Sequence, residues 1–313
     1  MKRLLVIRFS ALGDVALLVP VVSALAEQYP DTEITVLSHR RMQDLFAGLP
    51  GNVLFRGMDT HNDSLRAMAD SLGRFDIVAD MHDVWRSRYV RWRMCLRGAH
   101  IVRIHKGRWD KWCLTHRWQH HPLQPAIERY ADVLRRAGLP VTMPQPASHT
   151  SGTGVGIAPL AAHKGKVYPL EKMEQVVRML SERGETVVLF GGKEEMNLLD
   201  AWAKKYKGVT SVAGNYTLRE ELEVIRGLRV MVTMDSANMH LASLVGTRVV
   251  SIWGATHSHL GFLGFGQKET DCVQRDLPCR PCSTYGKKAC RYGDYRCMDI
   301  APEEIVKKVI SNR

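Results

Sequence analysis

The apolar run Leu4-Leu5-Val6-Ile7 breaks into Ser10-Ala11-Leu12-Gly13-Asp14 and resumes with helical spacing at Val15, Leu18, Val19, Val22 and Leu25. A short continuous run followed by a 3.6-residue period reads as strand, tight loop, helix. Repeated along a chain, such a unit argues for a mostly parallel sheet covered by helices on both faces, and in open α/β sheets ligands gather outside the carboxyl ends of the strands. Asp14 stands at this junction. An aspartate there has an ordinary use as a helix N-cap, and a chemical one as a carboxylate presented to substrate.

The same alternation continues. Strands are predicted near residues 4–7, 34–37, 53–55, 77–79 and 101–104, with helices over 15–28, 65–72 and 126–137. The stretch TMPQPASHTSGTG, 142–154, has the Pro, Ser, Thr and Gly content of a linker. A second series follows it, with strands at 155–158, 186–190, 209–212, 230–233 and 249–252, and helices at 170–183, 194–206, 218–227 and 237–245. The 313 residues therefore divide into two expected α/β domains, 1–148 and 155–313, each doubly wound and Rossmann-like. No apolar run approaches the roughly 20 residues of a membrane span, and no signal peptide is legible, so a cytoplasmic protein is expected.

Charge is concentrated. The net charge is +12, and between Arg86 and Arg117 ten basic residues face one acid, Asp110. Five of the seven tryptophans, Trp85, Trp92, Trp109, Trp112 and Trp118, lie in or beside the same segment. Guanidinium groups pair phosphate oxygens and indoles favour the membrane interface, so the pattern suits a phosphorylated, partly apolar partner at an anionic membrane surface. Nucleic acid competes for such a surface, as does a solvated face with no partner.

Three junctions in the second half carry candidate chemistry. Ala161-Ala162-His163-Lys164-Gly165-Lys166 leads a strand end into a helix, a setting that attracts diphosphate. Gly191-Gly192-Lys193-Glu194-Glu195 follows the next strand, and Asp235-Ser236-Ala237-Asn238-Met239-His240 a later one. First-turn acidity, an N-cap and a packed histidine are their plain structural uses. Cys279, Cys282, Cys290 and Cys297 crowd the C-terminal region; the CxxC leaves open a four-thiolate metal site beside a loop of free thiols, the preferred reading.

The string RLLVIRFSALGDVALLVPVVSAL, together with K-x-Y-P at Lys166–Pro169 and D-S-A-N-x-H at Asp235–His240, resembles the lipopolysaccharide heptosyltransferases of glycosyltransferase family 9. The resemblance implies a GT-B fold, with two Rossmann-like domains facing across a cleft. It implies an inverting transfer of heptose from ADP-heptose to a lipid A-linked inner-core acceptor, without a metal cofactor. Asp14 would be the catalytic base. Lys166, Glu195, Asp235, Ser236, Ala237 and His240 would bind the donor in the C-terminal domain. Arg86, Arg88, Arg91 and Arg93 of the N-terminal domain would receive the acceptor, and the terminal helix from Pro302 would brace that domain. The chain departs from the family pattern at Ala161 and Ala162, which replace hydroxyl residues, and at Ala237, which replaces glycine. A GT-B enzyme using another nucleotide sugar, a hydrolysing epimerase, and a non-catalytic RNA- or membrane-binding protein are the rival expectations.

Overall fold

The computed structural model describes residues 1–59, 61–148 and 152–311. The chain forms two compact units, the first made of residues 1–106 and 125–145, the second of 107–124 and 146–313. The expected boundary is close to the observed return at Gln145, with part of the expected linker, 149–151, lying outside the described residues. The excursion of residues 107–124 into the second unit departs from the expected N-terminal domain of 1–148. It also divides the basic, Trp-rich segment, leaving Trp85 and Trp92 in the first unit and Trp109, Trp112 and Trp118 in the second.

In the first unit, strands β1 (Lys2–Ile7), β2 (Thr32–His39), β3 (Val53–Met58), β4 (Ile77–Asp80) and β5 (His100–Arg103) form a parallel sheet in the order β3-β2-β1-β4-β5. Helices α1 (Leu12–Gln28), α2 (Leu65–Ser71), α3 (Trp85–Cys95) and α5 (Ala126–Arg136) accompany it, while α4 (Arg108–Thr115) lies in the excursion. Leu4, Leu5, Val6 and Ile7 are fully buried, as a central parallel strand covered on both faces requires. One core gathers Leu5, Ile7, Leu37 and Val78 from the sheet with Val90 and Met94 from α3.

The second unit repeats the plan. Strands β6 (Val155–Ala158), β7 (Val187–Leu189), β8 (Val209–Ser211), β9 (Val230–Met234), β10 (Arg248–Trp253) and β11 (Cys272–Gln274) run in the order β11-β10-β9-β6-β7-β8, all parallel. Helices α6 (Leu170–Glu182), α7 (Met196–Lys205), α8 (Leu218–Arg226), α9 (Ala237–Leu244) and α10 (Pro302–Ile310) complete it. The expected brace on the first domain is not the role of α10's apolar face: Ile305, Val306 and Val309 are buried in the core of the second unit, against α6 and β10. Among the described residues no helix is long and apolar enough to cross a membrane.

Each sheet has a topological switch point, where the chain leaves one strand in one direction and later returns on its other side. These points lie between β1 and β4 in the first unit and between β6 and β9 in the second. The loops that follow those four strands carry the candidate chemistry, apart from Glu195 after β7.

Candidate functional site

At the first switch point Asp14 is not the N-cap. Ala11 holds that position and Asp14 lies in the first turn of α1, where its Oδ2 accepts the Ala11 N–H at 3.4 Å. The carboxylate is held by Arg8, whose Nη2 is 2.5 Å from Oδ2. Arg8 is itself buried, donates to the Met81 carbonyl beyond β4, and packs over the Tyr130 ring. Tyr130 in turn donates its hydroxyl to the Asp14 carbonyl at 3.3 Å. Arg8 closes the apolar run of β1, and a buried guanidinium must find oxygen partners. That requirement was the one available sign of its role.

His82 completes this edge. The Phe9 N–H donates to its Nδ1 at 3.3 Å, which leaves the ring proton on Nε2. Burial, reinforced by Arg8 and Lys106, pushes its pKa down to about 3, so the ring is neutral and offers one donor. A pocket of about 230 Å3 opens here, lined by Phe9 and Ser10, His39 and Arg41, His61, His82 and Arg86. Among the described residues no carboxylate lines it, so it is suited to an anionic or hydroxyl-rich ligand.

Of the four arginines expected to receive an acceptor, the structure brings one to this pocket. Arg86 lies over the Trp85 ring and, among the described residues, makes no salt bridge to a carboxylate. The others are tied to acids of their own unit. Arg91 pairs with the fully buried Asp80 at 2.9 Å and with Asp83 at 3.3 Å, Arg88 pairs with Asp83 at 3.0 Å, and Arg93 pairs with Asp70. Asp80 also accepts from the backbone of His82 and Asp83 and from Ser87, so Arg91 neutralises the acid that shapes the turn between β4 and α3.

At the second switch point Lys166 Nζ lies 2.7 Å from Asp235 Oδ2, joining the loop after β6 to the loop after β9. The carboxylate is only 4% exposed, so the ammonium both neutralises it and is positioned by it. Ser236 follows as the N-cap of α9, its hydroxyl 3.0 Å from Thr233 Oγ1; Ala237 opens the helix, and His240 is buried in its second turn. Glu195, at the end of the β7 loop, spends one oxygen on the Gly192 N–H and occupies the N-cap position of α7. Tyr168 is buried and donates to the Ile300 carbonyl at 2.8 Å, which fixes the turn after Lys166.

The cysteine-rich loop contributes to this site through groups other than its thiols. The Gly165 N–H donates to the Gly286 carbonyl, and a Cβ on Gly286 would come within 2.6 Å of Lys166 Cγ. Gly254 is equally constrained, since a Cβ there would meet the Gly165 carbonyl at 2.7 Å. Arg280, inside the CxxC and buried, donates to the carbonyls of Gly254 and Thr256 at 2.5 and 2.8 Å. It orders the loop after β10 from within a motif that draws attention to sulfur. All seven cysteines are free, and burial lifts the Cys297 thiol to about 11. Among the described residues no group of three or more His, Cys, Asp or Glu side chains is placed to hold a metal ion.

Two parallel α/β sheets, each with a carboxylate–cation pair at its switch point, define a class, the two-domain α/β proteins whose ligands gather at the carboxyl ends of the strands. The comparisons give the family. The model of glycosyltransferase family 9 (heptosyltransferase) matches residues 65–293, and the chain belongs to that family. It is 27% identical to lipopolysaccharide heptosyltransferase 3 of Escherichia coli K12 over 278 residues, covering 78% of this chain and 80% of the relative. In structure it is similar to a family 9 glycosyl transferase from Veillonella parvula, with TM-score 0.75, 17% identity and 99% and 96% of the two chains covered. It is also similar to ADP-heptose lps heptosyltransferase II of E. coli, with TM-score 0.73, 20% identity and 99% and 98% covered. The fold is the GT-B fold, and the protein is a glycosyltransferase.

Proposed function

We propose that this protein transfers heptose from ADP-heptose to a lipid A-linked inner-core acceptor with inversion at the anomeric carbon. The observation that carries the proposal is the Lys166–Asp235 pair at the switch point of the second sheet, in a chain of family 9. An ammonium has three N–H groups, and the one directed at Asp235 leaves two for the diphosphate of the donor. The start of α9 adds backbone N–H groups and the positive end of a helix dipole. Asp235 would serve the donor by setting the position of the Lys166 ammonium, Ser236 would bond a sugar hydroxyl, Glu195 the ribose with its remaining lone pairs, and Ala237 and His240 would line the phosphate side. The positive charge comes from the chain itself, so the reading includes transfer without a divalent metal.

In the first unit the acceptor hydroxyl loses its proton to Asp14 as its oxygen bonds to the anomeric carbon. The bond from that carbon to the diphosphate oxygen breaks, and the electron pair leaves with ADP. Arg8 and the Ala11 N–H fix the carboxylate. Arg86, Arg41 and the Nε2–H of His82 offer donors to an anionic acceptor. Such an acceptor is embedded in a bilayer, so peripheral contact with an anionic membrane surface, from the cytoplasmic side, belongs to the same reading.

The test is incubation of the purified protein with ADP-heptose and a deacylated inner-core acceptor, in the presence and absence of EDTA. The expected result is a product heavier by one heptose, with release of ADP, in both. Transfer from another nucleotide sugar in preference to ADP-heptose would overturn the donor assignment, and loss of transfer on chelation would overturn metal independence.

A further inference from the structure

Three indoles of the excursion 107–124 pack on one another at the surface. Trp109 and Trp112 stack with centroids 5.1 Å apart, and Trp118 meets them edge-on at 6.4 and 4.9 Å. Mutual packing of this kind ordinarily accompanies burial, yet Trp109 is 65% and Trp118 70% exposed, and Trp112 37%. A contiguous aromatic patch left in water marks a surface meant to be covered.

The cluster is held in place from beneath. Lys111, on the inner side of α4, is buried with its ammonium over the rings of Phe262 and Tyr285, and the Leu123 N–H donates to the His259 carbonyl at 2.8 Å. The helix ends in a Schellman arrangement: the Trp118 N–H bonds the Cys113 carbonyl and the Arg117 N–H bonds that of Leu114, with Arg117 at φ +63°. Glycine is the residue favoured at that position, and arginine there is conformationally costly. The turn folds Trp118 back onto Trp112 and leaves the guanidinium of Arg117 exposed beside it in sequence. Arg108 is exposed at the start of α4, and the chain after Tyr285 carries exposed Lys287 and Lys288.

We infer that Trp109, Trp112 and Trp118 are the element by which this protein docks on a membrane surface bearing anionic headgroups. Indoles rest at the boundary between headgroup and hydrocarbon, and the exposed Arg108 and Arg117 that adjoin Trp109 and Trp118 in sequence outnumber the one exposed acid of the helix, Asp110, and match the headgroup charge. The inference rests on the proposed lipid-linked acceptor, and it assigns the contact to the unit that contains Lys166 and Asp235.

The experiment is co-sedimentation of the full-length protein with vesicles of phosphatidylcholine alone and of phosphatidylcholine with phosphatidylglycerol. The protein is expected to partition onto the anionic vesicles and not onto the neutral ones. W109A/W118A is expected to weaken partitioning roughly tenfold or more, since binding scales with apolar area inserted. R108Q and R117Q, which leave the indoles in place and guard against a folding defect, are each expected to weaken it by about fivefold. Transfer to the deacylated, water-soluble acceptor should be unchanged in W109A/W118A. Equal partitioning of wild type and W109A/W118A overturns the inference. So does a raised KM for the deacylated acceptor in that variant, which would make the cluster a saccharide platform, or loss of a wild-type dimer, which would make it a subunit interface. Vesicle binding that depends on the indoles, in a protein that transfers no heptose, would support the docking element and overturn the catalytic reading.

Discussion

The two sheets solve the same problem in opposite ways. Each places a carboxylate and a cation at its switch point, Asp14 with Arg8 in the first unit and Asp235 with Lys166 in the second. In the first the cation is the more buried partner and the carboxylate side chain is a third exposed, whereas in the second the carboxylate is almost completely buried. A base that must meet an incoming hydroxyl needs an open face. A carboxylate that sets the position of an ammonium for a diphosphate can be sealed. The comparison separates a group that reacts from a group that positions.

The largest effect is expected at Asp14. Asp14→Asn keeps an oxygen for Arg8 and Ala11 but has little capacity to take a proton, so kcat should fall by roughly 10²- to 10⁴-fold, with ADP affinity unchanged in a fluorescence or calorimetric titration. A variant that turns over within about threefold of wild type would make the Arg8–Asp14 pair structural.

Lys166 should respond differently because its partner is buried. Lys166→Ala leaves an uncompensated carboxylate inside the second unit, and a loss of about 3–5 kcal/mol in denaturant unfolding is expected, together with weaker ADP binding. Lys166→Met with Asp235→Leu removes both charges; stability should return while ADP affinity stays roughly tenfold to a hundredfold below wild type. Recovery of ADP affinity in the double variant would show that the ammonium does not touch the diphosphate.

The histidines test the two units through pH. His82 in the first and His257 in the second are both held neutral, with values pushed down to about 3 and about 4 chiefly by burial. A folded-state value below the unfolded 6.5 means that the neutral form's contribution is complete above pH 6.5 and is lost as pH falls toward the folded value, by at most about 1.4 kcal/mol per pH unit at each residue. His82→Asn keeps an acceptor for the Phe9 N–H and removes the titration, so its unfolding free energy should fall less steeply than wild type's between pH 6.5 and 3. An unchanged acid branch would place the sensitivity elsewhere.

The sheets were legible because parallel strands covered on both faces read as continuous apolar runs, and Val155–Ala158 stands where its sequence put it. Helix α3 was not, because its residues show no apolar stripe: Val90 and Met94 are the buried hydrophobic residues in a helix otherwise crowded with arginine. Helix α4 has only eight residues, too few for a helical period to declare itself. The basic run misled for a related reason. Its partner acids, Asp70, Asp80 and Asp83, precede Arg86, so a window opening there counts the cations and misses their counter-ions. Arg8 was marked only by its place at the end of an apolar strand, and Arg280 by nothing, because their roles depend on carbonyls brought up by distant loops, Met81 for one and Gly254 and Thr256 for the other. Likewise the return of residues 107–124 to the second unit is a tertiary event with no composition shift to announce it.

The smallest effect divides the arginines of α3. Arg86 reaches the pocket over the face of Trp85 and, among the described residues, pairs with no carboxylate, whereas Arg93 is spent on Asp70, an acid that also holds Arg97 at 2.9 Å. Arg86→Ala should raise the apparent KM for a deacylated acceptor by roughly three- to tenfold, an effect that shrinks as ionic strength rises because the contact is partly solvated. Arg93→Ala should leave KM unchanged and cost less than about 1 kcal/mol of stability, since Arg97 still neutralises Asp70. The pair of variants has matched chemistry, a single guanidinium removed from one helix, and differs only in whether a carboxylate already holds it. If both raise KM equally, the acceptor reads the general positive field of α3 rather than the pocket, and the distinction between arginines bound to the fold and arginine offered to substrate disappears.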